Sequence, residues 1–299
     1  MEPLWGIDLG GTKIEGVIIE SRENPVELAR LRVPTGASEG YQHIINQVIT
    51  LIGALKKETG LTPESIGIGT PGTLEPSTQT MKNCNTTVLN GMPFKADLET
   101  IVGLPIRMAN DANCFAMAES WLGAGKPFLN ETEVIFGVIL GTGVGGGLVV
   151  NGKAITGLQG IAGEWGHNFL DESGNHCYCG RIGCVESVLS GPSLERYYAS
   201  ISGERVSMKE IVARYRHGCE HACSTMERMC HFFGKAIANV INILDPGVII
   251  LGGGVGNIDL LYTDGVKSIE NFIFNPRLET KILKPQLGDS AGVFGAALL

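Results

Sequence analysis

Short apolar runs alternate with amphipathic stretches along the chain, the rhythm expected of α/β units. The pattern predicts strands at about 4–9, 13–20 and 28–34. A helix follows at about 40–58, where Ile44, Ile45, Val48, Ile49, Ile52 and Leu55 recur at helical spacing and Gly60 marks the stop. A strand at 65–69 leads into a loop-rich stretch at 70–95, and a helix is expected from Asp111 through Leu122. Later come a hairpin at 134–150, a Gly-rich stretch to about 184, helices near 185–200, 207–217 and 222–244, a buried strand at 248–251 and a helix at 258–273. Asp289 and Ser290 read as the cap of a last helix that returns to the first lobe. The expected architecture is two α/β lobes flanking a cleft, one made of 1–118 with about 288–299 and the other of 119–287.

The two hairpins are copies. GIDLGGTKIEGVII at 6–19 returns without gaps as GVILGTGVGGGLVV at 137–150, with Gly6/Gly137, Leu9/Leu140, Gly10/Gly141 and Gly16/Gly147 identical. Each copy reads as strand, Gly/Thr turn, strand. Such a turn presents backbone N–H groups without Cβ obstruction, and Thr hydroxyls add donors, which suits an anionic phosphate chain. One turn alone is a tight hairpin in a glycine-rich protein; the repetition favours a nucleotide clamped from both sides. The G-x-G-x-x-G at 141–146 is followed by LeuValVal, a strand and not the helix that a dinucleotide fingerprint opens. GlyGlyThrLys at 10–13 likewise lacks the residue order and the helix of a P-loop.

A chain of 299 residues is long enough for two ordinary domains, and 43% hydrophobic with 18% charged residues is a globular composition. A formal net charge of −8 and the lack of any Lys/Arg run argue against broad contact with nucleic acid. No apolar run approaches a membrane span, and MetGluPro leads straight into the first strand, so a cytoplasmic protein acting on small molecules is expected.

Eight cysteines in a reducing compartment are read for metal rather than for disulfides. Cys177, Cys179 and Cys184 in C-x-C-G-x-x-G-C, with His167 upstream, make a Cys₃His set for tetrahedral Zn²⁺. All four positions are filled by protein, so the zinc would be structural, and Gly180 and Gly183 permit the tight knuckle. Unligated thiols in a glycine-rich loop are the bland alternative. Cys84, Cys114, Cys219, Cys223 and Cys230 read as packing residues, with His217 and His221 flanking the pair at 219 and 223.

IDLGGTK at 7–13, AsnAspAlaAsn at 110–113, LGTGVGGG at 140–147, GlyGluTrpGlyHis at 163–167, CysTyrCysGlyArgIleGlyCysValGlu at 177–186 and AspProGlyValIleIleLeuGlyGlyGly at 245–254 run in this order over essentially the whole chain. Together they resemble the ROK family of sugar kinases. The resemblance implies an actin-like, ribonuclease-H-like ATPase fold of two lobes, and transfer of the γ-phosphoryl group of ATP to a hexose hydroxyl with Mg²⁺ and a structural Zn²⁺ as cofactors. Asp111 falls on the family's general base, which would deprotonate the attacking hydroxyl. At the head of a predicted helix, Asn110 and Asp111 also suit an N-cap. Asp8, at the end of the first strand, falls on the carboxylate that helps to hold Mg²⁺ through water. Gly10, Gly11, Thr12, Lys13, Gly141, Thr142 and Gly143 fall on the phosphate turns, and Gly252, Gly253 and Gly254 on the adenosine-side turn. Lys13 reads equally as a strand-exposed cation, and the three glycines as an ordinary strand-to-helix turn. Sugar hydroxyls would meet Asn85, Asn110, Asp111, Glu164, His167 and Glu186, the last aimed by the zinc knuckle or else a plain helix-start glutamate.

The stretch at 82–94 and GluTrpGlyHis at 164–167 look most like the fructokinase/mannokinase branch. That implies phosphorylation of fructose, mannose or glucose at O6, with N-acetylglucosamine or N-acetylmannosamine as the alternative. The branch usually has Trp where this chain has Val88, which opens space for an acetyl group. Family regulators that bind sugar without phosphorylating it carry an N-terminal helix-turn-helix, for which a first strand starting at Leu4 leaves no room. A homodimer is expected from family habit.

Overall fold

A computed structural model describes residues 2–299, the side chain of Asp289 excepted. In chain order the elements are β1 (Leu4–Leu9), β2 (Lys13–Ile19), β3 (Glu27–Pro34), α1 (Tyr41–Thr59), β4 (Ile66–Thr70), β5 (Thr73–Leu74), β6 (Met81–Lys82), α2 (Phe94–Val102), β7 (Ile106–Asn110), α3 (Asp111–Trp121), β8 (Val134–Leu140), β9 (Val144–Val150), β10 (Lys153–Ile155), α4 (Val185–Leu189), α5 (Gly191–Ser202), α6 (Met208–Arg216), α7 (Glu220–Leu244), β11 (Val248–Gly252), α8 (Gly253–Gly256), α9 (Asp264–Glu270), β12 (Lys281–Leu283) and α10 (Ala291–Ala297). One sheet has the order β3-β2-β1-β4-β7 and another the order β10-β9-β8-β11-β12. The two orders agree position for position. In each, an antiparallel strand flanks the hairpin on one side and two parallel strands extend it on the other. The duplication visible in fourteen residues is thus the duplication of a sheet.

The helices follow from their apolar stripes. In α1, Ile44, Ile45, Val48, Leu51, Ile52 and Leu55 are buried, and Gly60 ends the helix in the left-handed region (φ 71°), its N–H donating to Lys56 O. α10 lies on β1 and β4 where glycine leaves the backbone bare: a Cβ at Gly67 would sit 1.8 Å from Ala296 O, and one at Gly6 2.3 Å from Val293 O. The helix expected at 185–200 is two, because Ser190 is extended (φ −64°, ψ 154°) and Pro192 in the next first turn has no N–H to continue the ladder. The stretch at 258–273 is a 3₁₀ turn, Asp259–Tyr262, and then α9, interrupted at Thr263 (φ −118°, ψ −82°). Ser290 makes no capping bond, its hydroxyl being taken by Arg30, and the Asp289 side chain expected to share that role lies outside the described residues.

Contacts divide the chain into two compact units. The first takes the chain up to Leu129 with Gly147–Ala162 and Gln286–Leu299, and the second takes Asn130–Gly146 and Gly163–Pro285. This departs from the expected lobes chiefly at 119–129 and 147–162, which belong with the first unit. The reason is local: Trp121 Nε1 donates to Gly152 O (2.9 Å), and a Cβ at Gly147 would meet Ala112 O of α3 at 2.3 Å. Buried Glu119 further accepts from the N–H groups of Ala124 (2.9 Å), Gln286 (3.0 Å) and Leu287 (2.9 Å). Among the described residues no helix is long and apolar enough to cross a membrane.

Candidate active site

In the first unit, β1 carries Asp8 as its next-to-last residue, paired with Gly69 of β4 and Glu15 of β2. The turn that follows is closed by Gly10 N–H on Lys13 O (3.0 Å) and braced from outside, where Thr35 donates through Oγ1 to Gly10 O (2.6 Å) and through N–H to Thr12 O (3.0 Å). Gly11 and Thr12 are exposed at its tip. Lys13 pairs with Glu15 (3.3 Å), a buried carboxylate that also holds Arg30 and Arg32. Lys13 therefore takes the strand-cation arrangement.

β7 ends at Asn110, and there the competition between cap and base resolves. Asn110 is extended (φ −69°, ψ 163°) and is the N-cap, its Oδ1 accepting from Asn113 N–H (2.8 Å). Asp111, the first residue of α3, accepts from Ala112 N–H (2.8 Å) and stays open to solvent. The protein packed around its carboxylate nonetheless desolvates it and raises its proton affinity. Desolvation, then the negative charges of Asp111 and Glu15, push Asp8 up to about 6, against the pull of Lys13. The negative charge that Asp111 and Glu15 place on Asp8 is one that a bound cation would relieve. Asn85 lies exposed in a loop clamped by Asn90, which accepts from Cys84 N–H (2.9 Å) and donates to Cys84 O (3.1 Å). Val88, in the same loop, is 37% exposed.

In the second unit, Gly141 N–H donates to Gly143 O (2.9 Å) to close the second turn, and Gly191 N–H donates to Gly141 O (2.8 Å). Glu186 of α4 reaches this turn: its Oε2 accepts from Val144 N–H (2.9 Å) and would lie 2.7 Å from a Cβ at Gly143. Gly253 has a left-handed backbone (φ 81°), and a Cβ there would lie 2.3 Å from Leu140 O, so the turn at 252–254 abuts the end of β8.

The ligand atoms of His167, Cys177, Cys179 and Cys184 all lie within 4.8 Å of one another. Cys179 and Cys184 sulfurs are 3.5 Å apart, and Cys177 Sγ is 3.5 Å from His167 Nδ1. Tetrahedral Zn²⁺ with Zn–S of about 2.3 Å and Zn–N of about 2.0 Å requires separations of about 3.8 and 3.5 Å, so the donor set fits that ion. The knuckle needs its glycines: Gly180 and Gly183 have φ of 87° and 79°, and a Cβ at Gly183 would lie 2.4 Å from Asp171 O. His217, Cys219, His221 and Cys223 form no such convergence among the described residues. Two residues the sequence did not single out complete the picture. Trp165 pins the 163–167 segment, its Nε1 donating to Gly145 O (2.9 Å) and its ring meeting Phe136 edge-on. Tyr178 places its hydroxyl 2.9 Å from His167 Nε2, and Glu164 Oε2 is 4.0 Å from the same nitrogen. Although Tyr178 is largely exposed, desolvation of its hydroxyl, then the charges of Glu186 and Glu164, push it up to about 12. The candidate residues thus fall into two sets, Asp8, Asn85, Asn110 and Asp111 with the first turn and Glu164, His167 and Glu186 with the second.

A duplicated sheet with a Gly/Thr turn in each copy and an acid beside the first is the build of the actin-like ATPases, the mixed α/β fold of this chain. More narrowly, the chain belongs to the ROK family, whose model matches residues 4–299. It is 37% identical over 306 aligned positions to the N-acetyl-D-glucosamine kinase of Vibrio atlanticus, covering 99% of this chain and 98% of that one. Among solved structures it resembles the ROK hexokinase from Thermus thermophilus, at TM-score 0.88 and 30% identity over 99% of this chain and 97% of that one. It also resembles a ROK glucokinase from Streptomyces griseus in complex with glucose and AMPPNP, at TM-score 0.78 and 28% identity over 99% and 98% of the two chains.

Proposed function

We propose that this protein is an ATP- and Mg²⁺-dependent sugar kinase whose sugar is a 2-acetamido hexose of the N-acetylglucosamine type. Asp111 carries the reading: a carboxylate at the head of α3, open to solvent, with raised proton affinity and with the cap duty of that helix taken by Asn110. Raised basicity suits a general base. Asp111 takes the proton of a sugar hydroxyl as that oxygen bonds to the γ-phosphorus, the bond to the β-phosphate oxygen breaks and ADP leaves. Gly10, Gly11, Thr12, Gly141, Thr142 and Gly143 offer N–H and hydroxyl donors to the phosphates, Lys13 adds a nearby cation, and the turn at 252–254 receives the adenosine. Asp8 would hold, through water, the Mg²⁺ that neutralises phosphate charge. Asn85, Asn110, Glu164, His167 and Glu186 meet the sugar, and structural zinc on His167, Cys177, Cys179 and Cys184 would fix the knuckle before Glu186.

The fructokinase-like expectation gives way here to its alternative. Relatives named for N-acetylglucosamine align over nearly the whole chain, and exposed Val88 in the Asn85 loop leaves the space that a Trp would fill. A cytoplasmic homodimer is part of the reading. The test is a coupled ADP-release screen across N-acetylglucosamine, N-acetylmannosamine, glucose, mannose and fructose. N-acetylglucosamine is expected to have the highest kcat/KM, by about tenfold or more over glucose. Fructose or glucose in first place would overturn the sugar assignment, and no ADP release above background with any sugar would overturn the kinase.

A further inference from the structure

Thr86 follows Asn85 on the loop after β6, and it is buried with an unused hydroxyl. It is 7% exposed. It heads the 3₁₀ turn Thr87–Leu89 as the N-cap residue, where a threonine oxygen ordinarily accepts from the turn's N–H groups, yet it makes no capping bond. The backbone carbonyl accepts instead from Leu89 N–H (3.1 Å), and among the described residues the side-chain oxygen neither donates nor accepts a hydrogen bond. A hydroxyl buried without a partner costs stability, so its presence calls for a use outside the packing.

What that oxygen faces is the first Gly/Thr turn. A Cβ built on Gly11 would find one atom within 4 Å, Thr86 Oγ1, at 4.0 Å. The hydroxyl thus looks onto the bare side of the turn's tip without touching it. The tip has donors of its own to spare: Gly10 N–H closes the turn on Lys13 O, while the N–H groups of Gly11 and Thr12 bond to no protein oxygen among the described residues. A phosphate oxygen lodged at the tip would take hydrogens from main chain on one side and from the Thr86 hydroxyl on the other. Of the phosphates of a bound nucleotide the terminal one lies toward the sugar, and Thr86 belongs to the loop that carries Asn85.

We propose that Thr86 is a further phosphate-binding residue, its hydroxyl donating to an oxygen of the γ-phosphoryl group opposite the first Gly/Thr turn. Thr86 keeps its own proton. Its part is to hold the group in line and to meet the charge on its oxygens as the bond to the β-phosphate oxygen breaks. This rests on the sugar-kinase reading and adds a donor from the Asn85 loop to those of the first turn.

The experiment compares Thr86→Val, which puts a methyl in place of the hydroxyl, with Thr86→Ser, which keeps the hydroxyl, in the intact chain with Mg²⁺. By calorimetry, the Kd of Thr86→Val for AMPPNP is expected to rise about tenfold or more, and that for ADP, which has no γ-phosphate, less than about twofold. The kcat/KM for ATP with the best sugar of the ADP-release screen should fall by about tenfold or more, and Thr86→Ser should recover it to within about threefold of the parent. Nucleotide-free Thr86→Val should melt at or above the parent's temperature, because the methyl replaces an unpartnered buried hydroxyl. AMPPNP binding like the parent's, equal losses for AMPPNP and ADP, a lowered melting temperature, or a Thr86→Ser variant as impaired as Thr86→Val would each overturn the inference while leaving the kinase standing. A parent protein that binds neither nucleotide would instead remove the reading on which it rests.

Discussion

The two hairpins share a backbone and differ in what they carry. Position for position, Asp8, Lys13 and Glu15 of the first correspond to Ile139, Val144 and Gly146 of the second. The first copy builds its acids into the strands and surrounds Glu15 with Lys13, Arg30 and Arg32. The second copy carries no charged side chain. Its carboxylate comes from outside, from Glu186 on Val144 N–H, and its glycine at 146 is where Trp165 packs, a Cβ there lying 2.5 Å from Trp165 Cδ1. The outer parallel strands extend the contrast, because β7 runs into Asn110 and Asp111 whereas β12, in the same place of the second sheet, ends at Leu283. What was kept in both copies is the Gly/Thr turn. What differs is acid chemistry: an intrinsic acid in one copy, and in the other an acid brought in to hold the turn.

If the acid chemistry is concentrated in the first copy, the largest effect belongs to Asp111. Asp111→Asn keeps an oxygen for Ala112 N–H, so the helix start should survive. The amide cannot take the hydroxyl proton, and kcat is expected to fall by about 10²- to 10⁴-fold with sugar affinity nearly unchanged. Steady-state kinetics and calorimetric sugar binding check both halves. A kcat near that of the parent would break the comparison outright.

The next effect is that of Asp8 and shows as a pH dependence. Its carboxyl titrates at about 6 in the folded chain against an ordinary 3.8, so the folded state holds the proton more tightly than the unfolded one. The sign follows: metal-free protein is more stable with Asp8 protonated and loses that margin as pH rises from about 4 through about 6. On the proposed role of Asp8 in holding Mg²⁺, Mg²⁺·nucleotide would bind the ionised form, so its affinity should grow over the same interval. Asp8→Asn is expected to flatten both trends, raising the metal-free melting temperature near pH 7 by about 2–4 °C and weakening Mg²⁺·AMPPNP binding about tenfold or more. Thermal melts across this range with and without Mg²⁺·AMPPNP decide it, and a variant with the parent's pH profile would assign the shift to another group.

Much of the fold is legible in the sequence wherever a local rule carries the information. The apolar spacing of α1 with Gly60 at its end, the gapless echo of the hairpins and the C-x-C-G-x-x-G-C spacing all act over a few residues. What stays hidden depends on partners distant along the chain. Glu119 looks like a surface charge in α3, yet it is fully buried because Gln286 and Leu287 return to it. That return also draws 119–129 into the first unit, which no composition shift marks. Tyr178 carries no signal because the spacing around it is spoken for by cysteine, and Asn90 reads as a turn residue although it clamps the Asn85 loop. Asn110 and Asp111 were equally good caps by residue type, and only the extended backbone of Asn110 separates them.

The smallest effect sharpens the comparison at a single carbon. Neither Gly141 nor Gly143 has a left-handed backbone, so alanine is conformationally open to both, and a difference between them reports on neighbours. A Cβ at Gly141 meets nothing within 4 Å, whereas one at Gly143 lies 2.7 Å from Glu186 Oε2. The contact is with the end of a flexible side chain, so Gly143→Ala should fold normally but displace the carboxylate from Val144 N–H. Losing a hydrogen bond to a charged group costs about 1.5–3 kcal/mol where it is fully desolvated; at this partly exposed turn a three- to tenfold rise in KM for ATP is expected. Gly141→Ala should stay within about 0.5 kcal/mol of the parent in stability, with KM for ATP moving less than twofold. The first hairpin already carries Thr12 at the position equivalent to Gly143, and among the described residues no carboxylate from outside the hairpin accepts from its turn. Shortening that carboxylate with Glu186→Asp should therefore reduce the penalty of Gly143→Ala in a double-mutant cycle. Equal effects at 141 and 143, or strictly additive effects with Glu186→Asp, would show that the second turn does not depend on Glu186.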